Sequence, residues 1–262
     1  MSHLPRALLS LAFLALLGAC AGTAPRHSDT GTGMDRISPV RGAEVNTRLG
    51  IGYMERGQLQ LAMEKLETAL RHDPEHVPAH LSLALIYETI NDSQRAGRHY
   101  RQAARLAPND GATQNAYGVF LCRQGDFAQA ERHFMRAVDD PFYDTPAVAW
   151  TNAGACSRRN GDLELAERQL RTALEYDALY PDALFQLATV SHLRNESLRA
   201  RAFLQRFEAV AGEDPGALLL GYRIESGLNN PAQADGYARR LEEDFPDSSE
   251  ARELRRLLEQ ND

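Results

Sequence analysis

Apolar residues recur every three or four positions along most of the chain, a period that predicts amphipathic α-helices. The pattern is clearest in residues 115–137, NAYGVFLCRQGDFAQAERHFMRA. Gly125 predicts the end of a first helix, because glycine accepts the left-handed conformation found there. Phe134 lies on the inward side of a second helix, and Gly118 is predicted to lie opposite Ala130, where the two helices touch. This segment is therefore interpreted as one complete helix–turn–helix unit.

The same unit recurs six times. The units begin at Ala43, Val77, Gly111, Ala147, Pro181 and Pro215, at spacings of 34, 34, 36, 34 and 34 residues. A helix–turn–helix period of 34 residues is the signature of tetratricopeptide repeats. We predict an all-α fold, a right-handed superhelical solenoid of six such repeats over residues 43–246. The predicted units are 43–76, 77–110, 111–146, 147–180, 181–214 and 215–246, followed by a C-terminal capping helix within 247–262.

Three columns of the repeat support this alignment. The twentieth position is always alanine: Ala62, Ala96, Ala130, Ala166, Ala200 and Ala234. The eighth position is small in five units, Gly50, Ala84, Gly118, Gly154 and Ala188, and is Tyr222 in the sixth. The fifteenth is Gly57, Asn91, Gly125, Gly161, Asn195 and Asn229. Small residues let paired helices approach closely, and Gly or Asn tolerates the left-handed turn between them. Asp92, Asp126 and Asp162, which follow this turn, are predicted to cap second helices.

Two departures from the period are informative. The third unit has two extra residues near 140–143, which we expect to offset the fourth unit and allow the stack to divide into halves. Phe207 and Leu241 replace alanine at the twenty-seventh position of the fifth and sixth units, as is common in terminal repeats. A last amphipathic helix, at about 248–259, is predicted to cover the apolar end of the sixth unit.

The N-terminus is predicted to be a secretory signal over residues 1–19, with Arg6 before an apolar run that is too short to span a bilayer. Its end, Leu17-Gly18-Ala19-Cys20, resembles a bacterial lipobox. By that resemblance the signal is cleaved before Cys20, which is then acylated; ordinary secretion is the alternative. Ala21 points, by analogy, to the outer membrane. Residues 20–42 are predicted to form a lipidated cysteine and a flexible tether, rich in Gly, Ser, Thr and Pro.

Composition and motifs limit the chemistry. The formal charge is -7 and no basic run occurs, which argues against nucleic acid as the main partner. No nucleophile–base motif, phosphate-binding loop or zinc-ligand spacing is present, so we predict a non-enzyme without cofactor, metal or small-molecule substrate. A hydrolase with an unrecognised site is the alternative. His72, His76 and His80 are spaced like metal ligands, but Pro74 and Pro78 are expected to keep them in solvated loops.

Cys122 and Cys156 lie on the first helices of adjacent units, which are expected to pack side by side. In an oxidising periplasm we expect them to form a disulfide. The alternative is a pair of buried thiols.

The inner curve of the stack is the expected binding surface. In the first two units it includes the apolar residues Ile51, Met54, Leu81 and Leu85, which we predict to bind a polypeptide partner. In the next two units the same columns give Asn115, Arg123, Thr151, Arg158 and Arg159, so the middle is expected to be basic. The alternative is that the tether or neighbouring helices cover the four apolar side chains. Repeats that clamp the C-terminal carboxylate of chaperones use Lys and Asn at the fifth and ninth positions of their first units. Here these positions are Thr47, Ile51, Leu81 and Leu85, so that kind of clamp is excluded.

The lipobox, the tether, the six repeats and the segments NAYGVFLCRQG (115–125) and AWTNAGACSRRNG (149–161) together resemble the PilF/PilW family of type IV pilus biogenesis lipoproteins. The resemblance implies a pilotin, anchored in the outer membrane and facing the periplasm. Such a protein binds secretin subunits and promotes their outer-membrane localisation and multimerisation, on which twitching motility depends. The alternative is a periplasmic repeat scaffold for cell-wall synthesis or outer-membrane barrel assembly.

Overall fold

A computed structural model describes residues 38–259 of the chain, and within that range it contains thirteen α-helices and no strand. The helices are α1 (Pro39–Glu55), α2 (Leu59–His72), α3 (Val77–Thr89), α4 (Ser93–Leu106), α5 (Gly111–Arg123), α6 (Phe127–Val138), α7 (Pro146–Arg159), α8 (Leu163–Tyr176), α9 (Pro181–Leu193), α10 (Ser197–Ala211), α11 (Pro215–Gly227), α12 (Pro231–Asp244) and α13 (Ser249–Glu259).

Helices α1 to α12 form six consecutive pairs, and each pair packs against the next one along the chain. The predicted tetratricopeptide solenoid is confirmed. Helix α13 packs against the last pair, α11 and α12. Its Ala251 and Leu254 are buried in one apolar cluster with Leu218 and Leu241. Helix α13 therefore covers the apolar end of the stack, as predicted for the capping helix.

The start of the first helix differs from the prediction. Helix α1 begins at Pro39, so residues 39–42, which were predicted to belong to the tether, are helical. Proline at the first helical position has the right φ and lacks only an N–H that would have no helical partner. The Ser38 hydroxyl accepts a hydrogen bond from the backbone N–H of Arg41 at 3.2 Å, which caps the helix. Gly42 is already buried, beside the ring of His72.

All six turns between paired helices contain the predicted left-handed residue. The φ angles are positive at Gly57, Asn91, Gly125, Gly161, Asn195 and Asn229. The following aspartates act as predicted: Asp92 Oδ1 accepts a hydrogen bond from the backbone N–H of Arg95 at 2.9 Å, and Asp126 and Asp162 make the same contact. The turn and the cap together fix where each second helix begins.

Within each pair, the small residues of the eighth column make room for a large side chain on the second helix. A Cβ added at Gly50 would lie 2.6 Å from Leu66 Cγ, and one at Gly154 would lie 2.5 Å from Leu170 Cγ. At Gly118 the nearest atoms belong to the ring of Phe134, rather than to Ala130, the neighbour expected from the sequence. The alanines of the twentieth column are all buried.

In the sixth pair, the two helices approach each other one residue earlier in the repeat. Tyr222 occupies the eighth position, but its neighbour Gly221 makes the close approach, because a Cβ there would lie 2.5 Å from the ring of Tyr237. Only the close approach has moved by one residue in this pair, since Asn229 in the turn and the buried Ala234 keep their predicted positions.

The two extra residues of the third unit do not divide the stack. One apolar cluster extends from Ala43 in α1 to Cys156 in α7, past the insertion, so the prediction of two halves is wrong. The inserted loop instead packs inward, with the Tyr143 ring against Gly111. The Asp140 carboxylate accepts a hydrogen bond from the Gly111 N–H at 2.8 Å. Phe142, at 92% exposure, projects into solvent.

Candidate partner-binding face

The first helices of the six pairs present a common surface, here called the helix-A face. It is formed by α1, α3, α5, α7, α9 and α11. Side-chain contacts join neighbouring helices across it. The Arg123 guanidinium of α5 pairs with the Glu88 carboxylate of α3 at 2.8 Å, and Arg158 Nε of α7 donates to Gln186 Oε1 of α9 at 3.0 Å.

The four residues predicted to bind the partner lie on the first two of these helices. Ile51 and Met54 are in α1, Leu81 and Leu85 are in α3, and the two helices touch. Leu85 is 46% exposed and the other three are half-buried. Met54 and Leu81 also pack against the core, so part of their surface serves the fold. Helices of the described part of the chain leave all four partly accessible, and their role in binding stays a prediction.

Two residues at the fifth position of the repeat are more buried than expected from the sequence. Thr47 in α1 and Thr151 in α7 are both buried, and Thr151 Oγ1 donates to its own helix at the carbonyl of Ala147. They therefore contribute little to the accessible surface.

The first and third helices carry additional exposed apolar residues outside the predicted four. Val45 and Leu49 in α1 and Ile90 at the end of α3 are all more than two-fifths exposed. Sequence reasoning missed them because it considered only the columns expected on the inner curve. For Val45 and Leu49 the available signal was their place in α1, because no preceding repeat packs against this helix among the described residues.

The middle of the helix-A face is basic, as expected, and contains a disulfide. Cys122 of α5 and Cys156 of α7 are bonded, with Sγ atoms 2.13 Å apart and Cα atoms 5.8 Å apart. Beside the bond is a pocket of about 260 Å³ that Arg123, Arg158 and Arg159 line.

His80 is not the solvated loop histidine that was predicted. It is in α3 and only 8% exposed, because Pro78 lies in the first helical turn, where proline is tolerated. His80 Nε2 is 3.0 Å from the Pro74 carbonyl oxygen, and His80 Nδ1 is 2.9 Å from His99 Nδ1 in α4. A carbonyl only accepts, so Nε2 carries the hydrogen and the His99 N–H donates to His80 Nδ1.

Burial is the main cause of lowered pKa values at these histidines. It lowers the pKa of His80 and lowers that of His99 to about 4, so both rings are neutral in the folded protein at neutral pH. Three ligand-type side chains do not converge anywhere in residues 38–259 in a way that suits a metal ion.

The predicted signal, Cys20 and most of the predicted tether are outside the described residues. None of the helices in the described part of the chain is both long and apolar enough to cross a bilayer.

Comparison with known proteins identifies the family. The family model described as Tetratricopeptide repeat matches residues 47–111 and 157–217. The type IV pilus assembly protein PilF of Pseudomonas aeruginosa is 27% identical over 207 residues, which cover 79% of this chain and 82% of PilF. The crystal structure of PilW, a widely conserved type IV pilus biogenesis factor, matches with a TM-score of 0.75 and 32% identity, covering 81% of this chain and 97% of PilW.

A structure of Pseudomonas aeruginosa PilF matches with a TM-score of 0.72 and 25% identity, covering 83% of this chain and 98% of that one. The generic repeat model leaves out residues 112–156, which contain the insertion and end at the second cysteine of the disulfide. The PilW and PilF matches cover nearly all of each relative. The chain therefore belongs to the PilF/PilW family of type IV pilus biogenesis proteins, which are built from tetratricopeptide repeats.

Proposed function

We propose that this protein is an outer-membrane lipoprotein pilotin. In this proposal it binds secretin subunits in the periplasm, directs them to the outer membrane and promotes their multimerisation for type IV pilus biogenesis and twitching motility. The observation that carries the proposal is the partly exposed apolar patch of Ile51, Met54, Leu81 and Leu85 on α1 and α3 of a PilF/PilW family member.

The patch suits a polypeptide ligand better than a small molecule. Its residues come from two adjacent helices, so an apolar side chain of a bound helix or strand fits between them. Removing apolar surface from water stabilises a complex by roughly 25 cal/mol per Å², and only part of this appears as affinity. The proposed role requires no bond-making by this chain, which acts as a scaffold.

The sequence supports the membrane location through Cys20. Acylation adds roughly 0.8 kcal/mol of membrane binding per buried methylene, so several acyl chains on one residue give a stable anchor. Residues 21–38 lie between Cys20 and α1; as the flexible tether that the sequence predicts, they would span roughly 20–25 Å, enough to hold the repeats clear of the lipid headgroups. A Cys20→Ser variant tests the anchor: we expect it in the soluble periplasmic fraction, and an unchanged membrane fraction would contradict acylation at this residue.

Charge substitution tests the contact with secretin. We expect Leu85→Glu, alone or with Leu81→Glu, to reduce heat-stable secretin multimers in the outer-membrane fraction severalfold, because a carboxylate is costly to bury in an apolar contact. Leu198→Glu is the matched control, since Leu198 is 68% exposed on the second helix α10, away from the helix-A face. Unchanged multimers in a folded Leu85→Glu variant would show that the contact is elsewhere.

A pull-down from detergent extracts distinguishes the proposal from the alternative scaffold. We expect secretin subunits to be retained by the wild-type chain and lost with Leu85→Glu. Retention of a cell-wall synthesis enzyme or an outer-membrane barrel assembly factor in place of secretin would favour the alternative.

A further inference from the structure

The pocket beside the disulfide has apolar groups in its lining as well as arginines. Its lining includes the Cys122–Cys156 bond and the side chains of Val119 and Ala155, on the facing sides of α5 and α7. The bond fixes the spacing of the two helices, so the pocket is present before any ligand arrives. A volume of about 260 Å³ is enough for one or two side chains.

The rim of the same pocket carries three guanidinium groups, and only one of them has a carboxylate partner. Arg123 pairs with Glu88, which also accepts a hydrogen bond from the Tyr100 hydroxyl at 2.8 Å. Arg158 donates to the neutral amide oxygen of Gln186, and Arg159 donates to the backbone carbonyl of Arg123 at 3.3 Å. Within residues 38–259, no ion pair includes Arg158 or Arg159.

Arg158 is the unusual member of this group. Its side chain is half-buried with a neutral amide as partner, and burial lowers the pKa of its guanidinium. A desolvated cation with no counter-charge is costly, and an anion held against it with good hydrogen-bond geometry offsets part of that cost. Arginine also has a planar set of donors that matches a carboxylate in a bidentate arrangement.

We propose that this pocket binds a carboxylate of a partner polypeptide, held by Arg158 and Arg159, with an adjoining apolar side chain against Val119, Ala155 and the disulfide. Two features favour a polypeptide: the mixed apolar and cationic lining, and the position of the pocket on the same helix-A face as Leu85. The Arg123–Glu88 pair joins the pocket to α3, so one extended segment can contact both places. The inference goes beyond the proposed function and does not depend on the partner being secretin.

Peptide libraries test this directly on the immobilised full chain in detergent. The probe is a hexapeptide library with Leu-Glu fixed at its centre, mixed residues elsewhere and both termini blocked. A Leu-Gln library is its neutral control, and a Leu-Gln library with a free C-terminus tests a terminal carboxylate. We expect at least one carboxylate library to be retained about tenfold better than the blocked Leu-Gln library, a difference of about 1.4 kcal/mol.

Arg158→Gln and Arg159→Gln should each remove most of that preference, whereas Arg105→Gln, an exposed arginine on α4, should leave it unchanged. Far-UV circular dichroism and an intact disulfide confirm that the variants are folded. Equal retention of charged and neutral libraries would overturn the proposal, as would a preference that survives both substitutions. Displacement of the bound peptides by inorganic phosphate but not by acetate would assign the pocket to phosphate groups, and this result would also overturn the proposal. None of these readouts involves secretin, so they can fail while the proposed function stands.

Discussion

At Gly50 the absence of a side chain allows α1 and α2 to approach each other. A Cβ there would lie 2.6 Å from Leu66 Cγ and 3.2 Å from the Ala62 carbonyl oxygen. We expect Gly50→Ala to lower the free energy of unfolding by roughly 1–3 kcal/mol, because α1 or the Leu66 side chain of α2 must shift to admit the new methyl group. Urea unfolding followed by circular dichroism measures the change.

Gly52, two residues further along the same helix, provides the matched control. A Cβ at Gly52 would meet only the flexible end of Arg56, at 3.7 Å. Gly52→Ala should therefore leave stability unchanged or raise it by up to about 1 kcal/mol, because alanine favours the helix. Equal destabilisation by both substitutions would show that close packing at Gly50 is not the cause.

The His80–His99 contact predicts a pH dependence of stability. In the unfolded chain both imidazoles titrate near pH 6.5, whereas the pKa of folded His99 is about 4. The unfolded chain therefore binds more protons between these values, so the stabilisation is fully present above about pH 6.5 and is lost as the pH falls toward 4. Arg98 adds to the lowering at His99; at His80, His76 lowers the pKa and Asp73 raises it.

The measurement is the free energy of unfolding at several pH values between about 7 and 4. His99→Gln keeps a donor near His80 but does not titrate, so its pH slope in this range should be shallower, by at most about 1.4 kcal/mol per pH unit. An unchanged slope would contradict a neutral, buried His99. His133 on α6, whose pKa burial also lowers to about 4, contributes to the slope that remains.

At the scale of the helices, a disulfide links α5 and α7, which belong to neighbouring helix pairs. This link predicts how reduction changes stability. The Cys122–Cys156 bond closes a loop with a sequence separation of 34 residues. By chain-entropy reasoning, such a loop stabilises the fold by roughly 3–4 kcal/mol. A Cys122→Ser/Cys156→Ser variant should lose this amount in urea unfolding, and a reductant should then have no further effect on the variant. A variant as stable as the oxidised wild type would contradict a stabilising role.

Helix ends show which parts of the architecture the sequence determines locally. The left-handed turn needs Gly or Asn and the cap needs a short side-chain acceptor, so single positions such as Asn91 and Asp92 were sufficient for correct predictions. The start of α1 at Pro39 and the close approach at Gly221, one residue before the expected position, were missed. Both depend on contacts with another helix, with His72 and Tyr237 respectively, and these contacts are not visible in one repeat period.

The candidate site was predictable only in outline. The basic middle of the helix-A face and the pairing of Cys122 with Cys156 followed from the repeat alignment. The burial of Thr47 and His80 did not, because the alignment gives a position in the repeat but not the packing between neighbouring helices. The missing carboxylate at Arg158 likewise depends on the packing of α7 against α9, since within residues 38–259 its side chain donates to Gln186 of α9.

For the whole molecule, the central claim is that a repeat scaffold presents its first two helix pairs to a secretin subunit. Site-specific photo-crosslinking in cells tests this most directly, with p-benzoylphenylalanine in place of Leu85 and, as the control, in place of Leu198. The account predicts a crosslinked product that secretin antibodies recognise at position 85 and none at 198. A folded, membrane-localised protein that crosslinks secretin equally at both positions, or only at 198, would contradict it.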